Sequence, residues 1–205
     1  MVDKQTGHYY MDGKMASEIW KGLCRPMIET CENAVNTGKE MFSALLNQLE
    51  KVHAAGLLYG EISKSDLVMD ESGKWNISKD KSLYKQGTCI NTQNEYIGWK
   101  KHNRAPEFKY ACLQGTEYYP TKTADIYSLI YSIYETISGQ RPRLNFQLDR
   151  HWTSILEDSF GCDTERKKTA LQQLFEQCVE VSAYHRIQSC EQLKNTEEYR
   201  LLFAQ

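Results

Sequence analysis

The sequence predicts a mostly α-helical domain with one small β-hairpin, and three observations carry that prediction. Met41, Leu45, Leu49 and Val52 recur at helical spacing over residues 39–55, with Phe42 and Leu46 beside them. Apolar residues three and four apart share one face of an α-helix. Residues 123–138 are apolar almost all round, through Ile126, Leu129, Ile130, Ile133, Tyr134 and Ile137. That pattern marks a helix in the middle of a core. Leu67-Val68-Met69 and Trp75-Asn76-Ile77 flank Asp70-Glu71-Ser72-Gly73, and two apolar runs around turn residues are a hairpin signal.

The remaining elements follow in chain order. Residues 7–13 suit an extended piece and a turn. A helix is expected from Ala16 or Ser17, with Ile19, Trp20 and Leu23 on one face, and Pro26 breaks or kinks it. Gly56 is the stop signal for helix 39–55. Residues 79–120 are polar, aromatic and weakly periodic, so they are expected to be mostly loop. Residues 150–158, 165–181 and 189–194 are expected to be further helices.

Composition bounds the class. The chain has 205 residues, 40% hydrophobic and 25% charged, which suits one ordinary globular domain. A net charge of -2 gives no general reason to expect nucleic acid or an anionic membrane as partner. The seven cysteines (24, 31, 89, 112, 162, 178, 190) are odd in number and form no C-x-x-C. That argues against a disulfide scaffold and a zinc site, and reduced thiols in a cytoplasmic protein are the expectation. Met1-Val2-Asp3-Lys4-Gln5-Thr6 has no apolar run, so no signal peptide is expected. No run of about 18 apolar residues predicts a membrane span. Asn76-Ile77-Ser78 matches a glycosylation sequon, for which chance is the better explanation without a secretory signal.

One segment bears on chemistry: Tyr59-Gly60-Glu61-Ile62-Ser63-Lys64-Ser65-Asp66. It resembles a protein-kinase catalytic loop, H-R-D-L-x-x-x-N, in which the Asp is the base and the Asn holds magnesium. Tyr59 stands at the His position, Gly60 at Arg, Glu61 at Asp and Asp66 at Asn, with the five-residue step kept. Further resemblances follow in kinase order. Tyr9-Tyr10-Met11-Asp12-Gly13 resembles the hinge. Helix 39–55 with His53-Ala54-Ala55-Gly56-Leu57-Leu58 resembles the lead into the loop, and the hairpin resembles the strands after it. Arg104-Ala105-Pro106-Glu107 contains an intact A-P-E motif. Thr123-Ala124-Asp125-Ile126-Tyr127-Ser128 resembles the start of the buried central helix, and Ser138-Gly139-Gln140-Arg141-Pro142 its end. Tyr184-His185-Arg186-Ile187 resembles the late arginine motif. The resemblance implies a kinase C-terminal lobe, with a hinge-like segment at 1–14, a helical lobe over 15–205, and a buried Glu107–Arg186 ion pair. The longer Glu107-to-Asp125 spacing implies an insertion near Gln114–Tyr119.

The same resemblance exposes what is missing. The hinge-like segment begins about ten residues into the chain, so no N-lobe is expected, and no glycine-rich loop or V-A-I-K lysine can be placed. The D-F-G position falls on Lys79-Asp80-Lys81, with Lys79 at the Asp position and Asp80 one residue late. In extended backbone a slip of one residue turns a side chain to the opposite side. Glu61 could accept a proton, but its longer side chain places the carboxylate differently, and about 1 Å of misplacement can cost 100-fold.

Each sharp reading has a plain one beside it. Glu61, Asp66 and Asp80 could hold Mg2+ or Ca2+; three solvated loop carboxylates are the plainer expectation. His53, His102 and His185 are expected to be core or surface histidines, and the cysteines small buried hydrophobes. The basic run Lys100-Lys101-His102-Asn103-Arg104 is expected to be a solvated loop. Without a covering lobe, the surface near Tyr9, Tyr10, Met11, Leu67 and Met69 is expected to be exposed and apolar, which marks partner sites. The segment Leu144–Leu156, with Phe146, Leu148, Trp152 and Ile155, corresponds by resemblance to the docking region of kinases.

The function expected is therefore that of a catalytically inactive, kinase-like interaction module with no cofactor and no metal. Tyr59, Gly60, Glu61, Ser63, Asp66, Lys79 and Asp80 are its degenerate positions, and Glu107, Asp125 and Arg186 its structural ones. Its expected partner is a protein: a kinase, a kinase substrate or a regulator. The alternative is a metal- or nucleotide-dependent transferase of altered chemistry, or a half-kinase completed by a partner.

Overall fold

A computed structural model describes residues 37–92, 103–139 and 150–204, the side chains of 150–153 excepted. These residues belong to one unit, Val35–Gln205. The predicted hinge-like segment with Tyr10 and Met11 lies outside the described residues, as do Phe146, Leu148 and the basic run up to His102. Trp152 is described only as part of a helical backbone.

Helix α1 (Thr37–Ala54) buries Met41, Phe42, Leu45, Leu46, Leu49 and His53 along one face. Glu40 in its first turn and Lys51 in its last suit the helix dipole. The chain then passes β1 (Leu57–Leu58) and a short 3-10 turn (Lys64–Asp66) into the hairpin β2 (Leu67–Met69) and β3 (Trp75–Ile77). The hairpin is antiparallel, with Leu67 opposite Ile77 and Met69 opposite Trp75. Leu67 turns inward and is buried, while Val68 and Met69 face outward. The expected exposed patch therefore loses Leu67 and gains Val68, because the first strand residue packs on the core.

The described part of residues 79–120 is loop interrupted by short elements. They are β4 (Tyr84–Lys85), β5 (Ile90–Asn91), helix α2 (Pro106–Gln114) and β6 (Glu117–Tyr118). Strand β4 pairs with β1 and β5 with β6, both antiparallel, so the hairpin is one of three two-stranded ladders among the described residues. Helix α2 starts on Pro106, whose missing N–H costs nothing in a first turn. It ends at Gly115 in the left-handed conformation at φ 64°. Only Phe108, Ala111 and Cys112 of α2 are buried, so its periodic signal is weak. The Gln114–Tyr119 stretch holds this helix end together with β6.

Helix α3 (Lys122–Ser138) is the core helix. Thr121 caps it by accepting from Ala124 N at 3.2 Å, and Ile126, Leu129, Ile130 and Ile133 are fully buried. Helices α4 (Arg150–Ser159), α5 (Glu165–Cys178), α6 (Cys190–Lys194) and α7 (Glu197–Phe203) complete the lobe. Helix α5 stops at Cys178 rather than 181, and α7 is an element the sequence pattern did not separate. Phe42 of α1, Phe160 just after α4, Phe175 of α5 and Phe203 of α7 meet through edge-on and tilted ring contacts, such as Phe160–Phe175 at 5.8 Å and 82°. The described residues are thus mostly helical around α1 and α3. No helix among them is long and apolar enough to cross a membrane.

Candidate functional site

The loop 59–66 is held from below by α3. Asp125, fully buried, accepts from Tyr59 N at 2.8 Å and Gly60 N at 2.7 Å. His53 Nε2 lies 3.0 Å from the same carboxylate, which makes it a buried core histidine. Ser128 Oγ accepts from Ile62 N at 3.1 Å, and Ser132 Oγ donates to Ile62 O at 2.9 Å. Asp125, Ser128 and Ser132 are three and four residues apart, so they form one polar stripe on an otherwise apolar helix. The stripe is visible in the sequence, and the apolar reading of 123–138 passed over it.

Gly60 takes φ 72°, a left-handed conformation that side-chain-bearing residues adopt at a cost. A Cβ there would approach the Tyr84 ring to 3.0 Å. The phenol ring therefore lies where a side chain at position 60 would begin.

Glu61 is buried, at 8% exposure. Its carboxylate receives Arg104 Nε at 2.5 Å, and both side chains are about one-tenth exposed, 11% and 10%. Asn103 Nδ2 reaches Glu61 Oε1 at 3.5 Å and donates to Ile62 O at 2.7 Å. Arg104 also lies over the Phe108 ring, 4.3 Å from its centroid. The expectation of a solvated carboxylate fails at Glu61, because the A-P-E segment brings a cation onto it.

Asp66 is also engaged. Its Oδ2 accepts from Ser63 N and Ser63 Oγ, each at 2.7 Å, and from Lys81 Nζ at 3.0 Å. Burial pushes the Asp66 pKa up, but the Ser63 and Lys81 donors outweigh it and hold the carboxyl below its ordinary range. Lys79 and Asp80 are both exposed. Asp80 nevertheless lines the cleft and Lys79 does not. The slip of one residue does not turn Asp80 away, because 78–81 is a turn, closed by Lys81 N donating to Ser78 O at 3.2 Å.

These groups surround a cleft of about 360 Å³, walled by Gly60, Glu61, Asp66, Asp80, Lys81, Tyr84 and Arg104 among others. Among the described residues, no group of three or more His, Cys, Asp or Glu is placed to hold a metal ion. Lys81, Arg104, Asn103 and Tyr84 are site residues to which the sequence pattern assigns no role at this loop.

Away from the cleft, Arg186 meets Glu107 through two bonds, Nη1–Oε1 at 2.8 Å and Nη2–Oε2 at 3.0 Å. The Arg186 side chain is fully buried and that of Glu107 is 26% exposed, so only the guanidinium end is wholly dry. Arg186 also donates to the carbonyls of Glu180, Val181 and Thr123. Among the docking candidates, Ile155 is half-buried and its neighbour Leu156 is buried.

No family model matches the chain, and no curated protein matches it in sequence. Solved structures match it in fold. The Toxoplasma gondii protein ROP2, described as a virulence factor with a protein-kinase fold and no enzymatic activity, aligns with TM-score 0.60 at 16% identity. The alignment covers 90% of this chain and 48% of that one. A rhoptry kinase from Toxoplasma gondii aligns with TM-score 0.60 at 16% identity, over 89% of this chain and 51% of that one. The chain thus spans about half the length of these neighbours and has a kinase-like, mostly helical fold.

Proposed function

We propose that this chain is a non-catalytic, kinase-like module that acts by binding another protein. One observation carries the reading: Glu61, at the base position of the loop, is buried against Arg104. A carboxylate engaged by that guanidinium is turned to its partner and is not presented to a substrate hydroxyl. Phosphoryl transfer also needs metal carboxylates and a phosphate cradle, and Asp66 is occupied by Ser63 and Lys81. The solved neighbour described as having no enzymatic activity is consistent with this reading.

Val68 and Met69, at 41% and 53% exposure, are the exposed apolar side chains of the hairpin that are offered to a partner. A kinase, a kinase substrate or a regulator is the partner class. A phosphotransfer assay on the intact chain, beside Glu61→Ala, tests the catalytic half. The expected result is no transfer from either protein. Transfer by the wild type that Glu61→Ala abolishes would overturn the reading.

A further inference from the structure

The kinase fold implies a divalent ion at the loop that ends on Asp66, and the residues present do not fit one. We propose that Lys81 is a built-in cation that takes the place of that ion. The inference rests on the non-catalytic reading above and deepens it by naming the residue that keeps metal out.

Three facts carry it. Lys81 Nζ lies 3.0 Å from Asp66 Oδ2, with the two side chains only 20% and 18% exposed. That same oxygen also accepts from Ser63 N and Ser63 Oγ, which holds the carboxylate in place facing Lys81. Asp80 lines the same cleft as Lys81, so the ammonium shares the cleft with both loop carboxylates. A compact point charge at that distance opposes a dication strongly in a partly buried site. Mg2+ and Mn2+ need oxygen ligands free of competing cations. Lys81 is also placed to act so by its backbone, since the turn 78–81 fixes its origin.

The inference predicts that removing the charge uncovers a cation site. The probe is Mn2+ alone, followed by loss of the free-ion paramagnetic resonance signal and by thermal stabilisation. Wild type should show neither, and Lys81→Met should bind Mn2+ at least about tenfold more tightly than wild type. Lys81→Arg, which keeps the charge, should behave as wild type. Lys81→Met combined with Asp66→Asn should lose the gain. A folded Lys81→Met with no gain would overturn the inference and leave the non-catalytic reading standing. A gain that survives Asp66→Asn would overturn it as well. If Lys81→Met does not fold, Lys81→Gln, which keeps a polar chain, is read by the same criteria. Phosphotransfer by the wild type would instead overturn the non-catalytic reading itself.

Discussion

At the residue scale, three positions carry sharp expectations. Gly60 has φ 72° and the Tyr84 ring 3.0 Å from where a Cβ would lie. Gly60→Ala should therefore cost about 1–2 kcal/mol for the left-handed backbone, with the ring contact added, measured by urea unfolding. Tyr118 is the opposite case. Its hydroxyl is buried with no hydrogen-bond partner among the described residues, and burial drives its pKa far upward. Tyr118→Phe should leave stability unchanged or raise it by up to about 1 kcal/mol, because an orphaned hydroxyl is removed. A clear loss of stability would mean the hydroxyl has a partner after all. Glu107→Ala strands the Arg186 guanidinium, which is fully buried, and should cost about 3 kcal/mol. The three carbonyls that Arg186 also reaches hold the loss near the low end of that range.

At the element scale, α3 does two jobs with two faces. Its apolar faces make the core, and its Asp125–Ser128–Ser132 stripe fixes the backbone of loop 59–62. Asp125→Ala strands the N–H groups of Tyr59, buried, and Gly60, half-buried, together with a buried histidine, so it should cost about 3–5 kcal/mol, seen as a drop in the thermal midpoint. The long helices α1 and α3 were legible in the sequence, because burial on a regular face writes a regular period. The hairpin was legible because its turn residues sit between two apolar runs. Helix α2 was not, since it buries only three residues and its start rests on proline geometry. The loop was recognisable from Glu61 and Asp66, but their partners were not. Arg104 and Lys81 come from 43 and 15 residues away, and only the folded chain brings them to the carboxylates.

The 3-10 turn also sets a pH response. The Asp66 carboxyl is held below its ordinary value of 3.8, so its bonds stabilise the fold fully above about pH 4. That contribution is lost as pH falls through the lowered value. Acid titration of the thermal midpoint should show a shallower fall for Asp66→Asn than for wild type below about pH 4. Equal slopes would show that Asp66 is not held in this way.

At the scale of the whole molecule, the chain has a kinase-like fold, and Arg104 and Lys81 engage the carboxylates of its loop. The thiols follow from the same packing. Burial raises Cys190 to about 12 and Cys162 to about 11, while Cys89 is exposed. Peptide mapping after brief alkylation should therefore find Cys89 modified ahead of Cys112, Cys162, Cys178 and Cys190; modification of the buried thiols at an equal rate would contradict the packing. The most direct test of the central claim is a thermal-stability titration of the intact wild-type chain with ATP and Mg2+. Binding at 100 times the dissociation constant would add about 2.7 kcal/mol, a visible rise in the midpoint. The account predicts a flat response. A rise that requires both nucleotide and metal, and that Asp66→Asn removes, would contradict it.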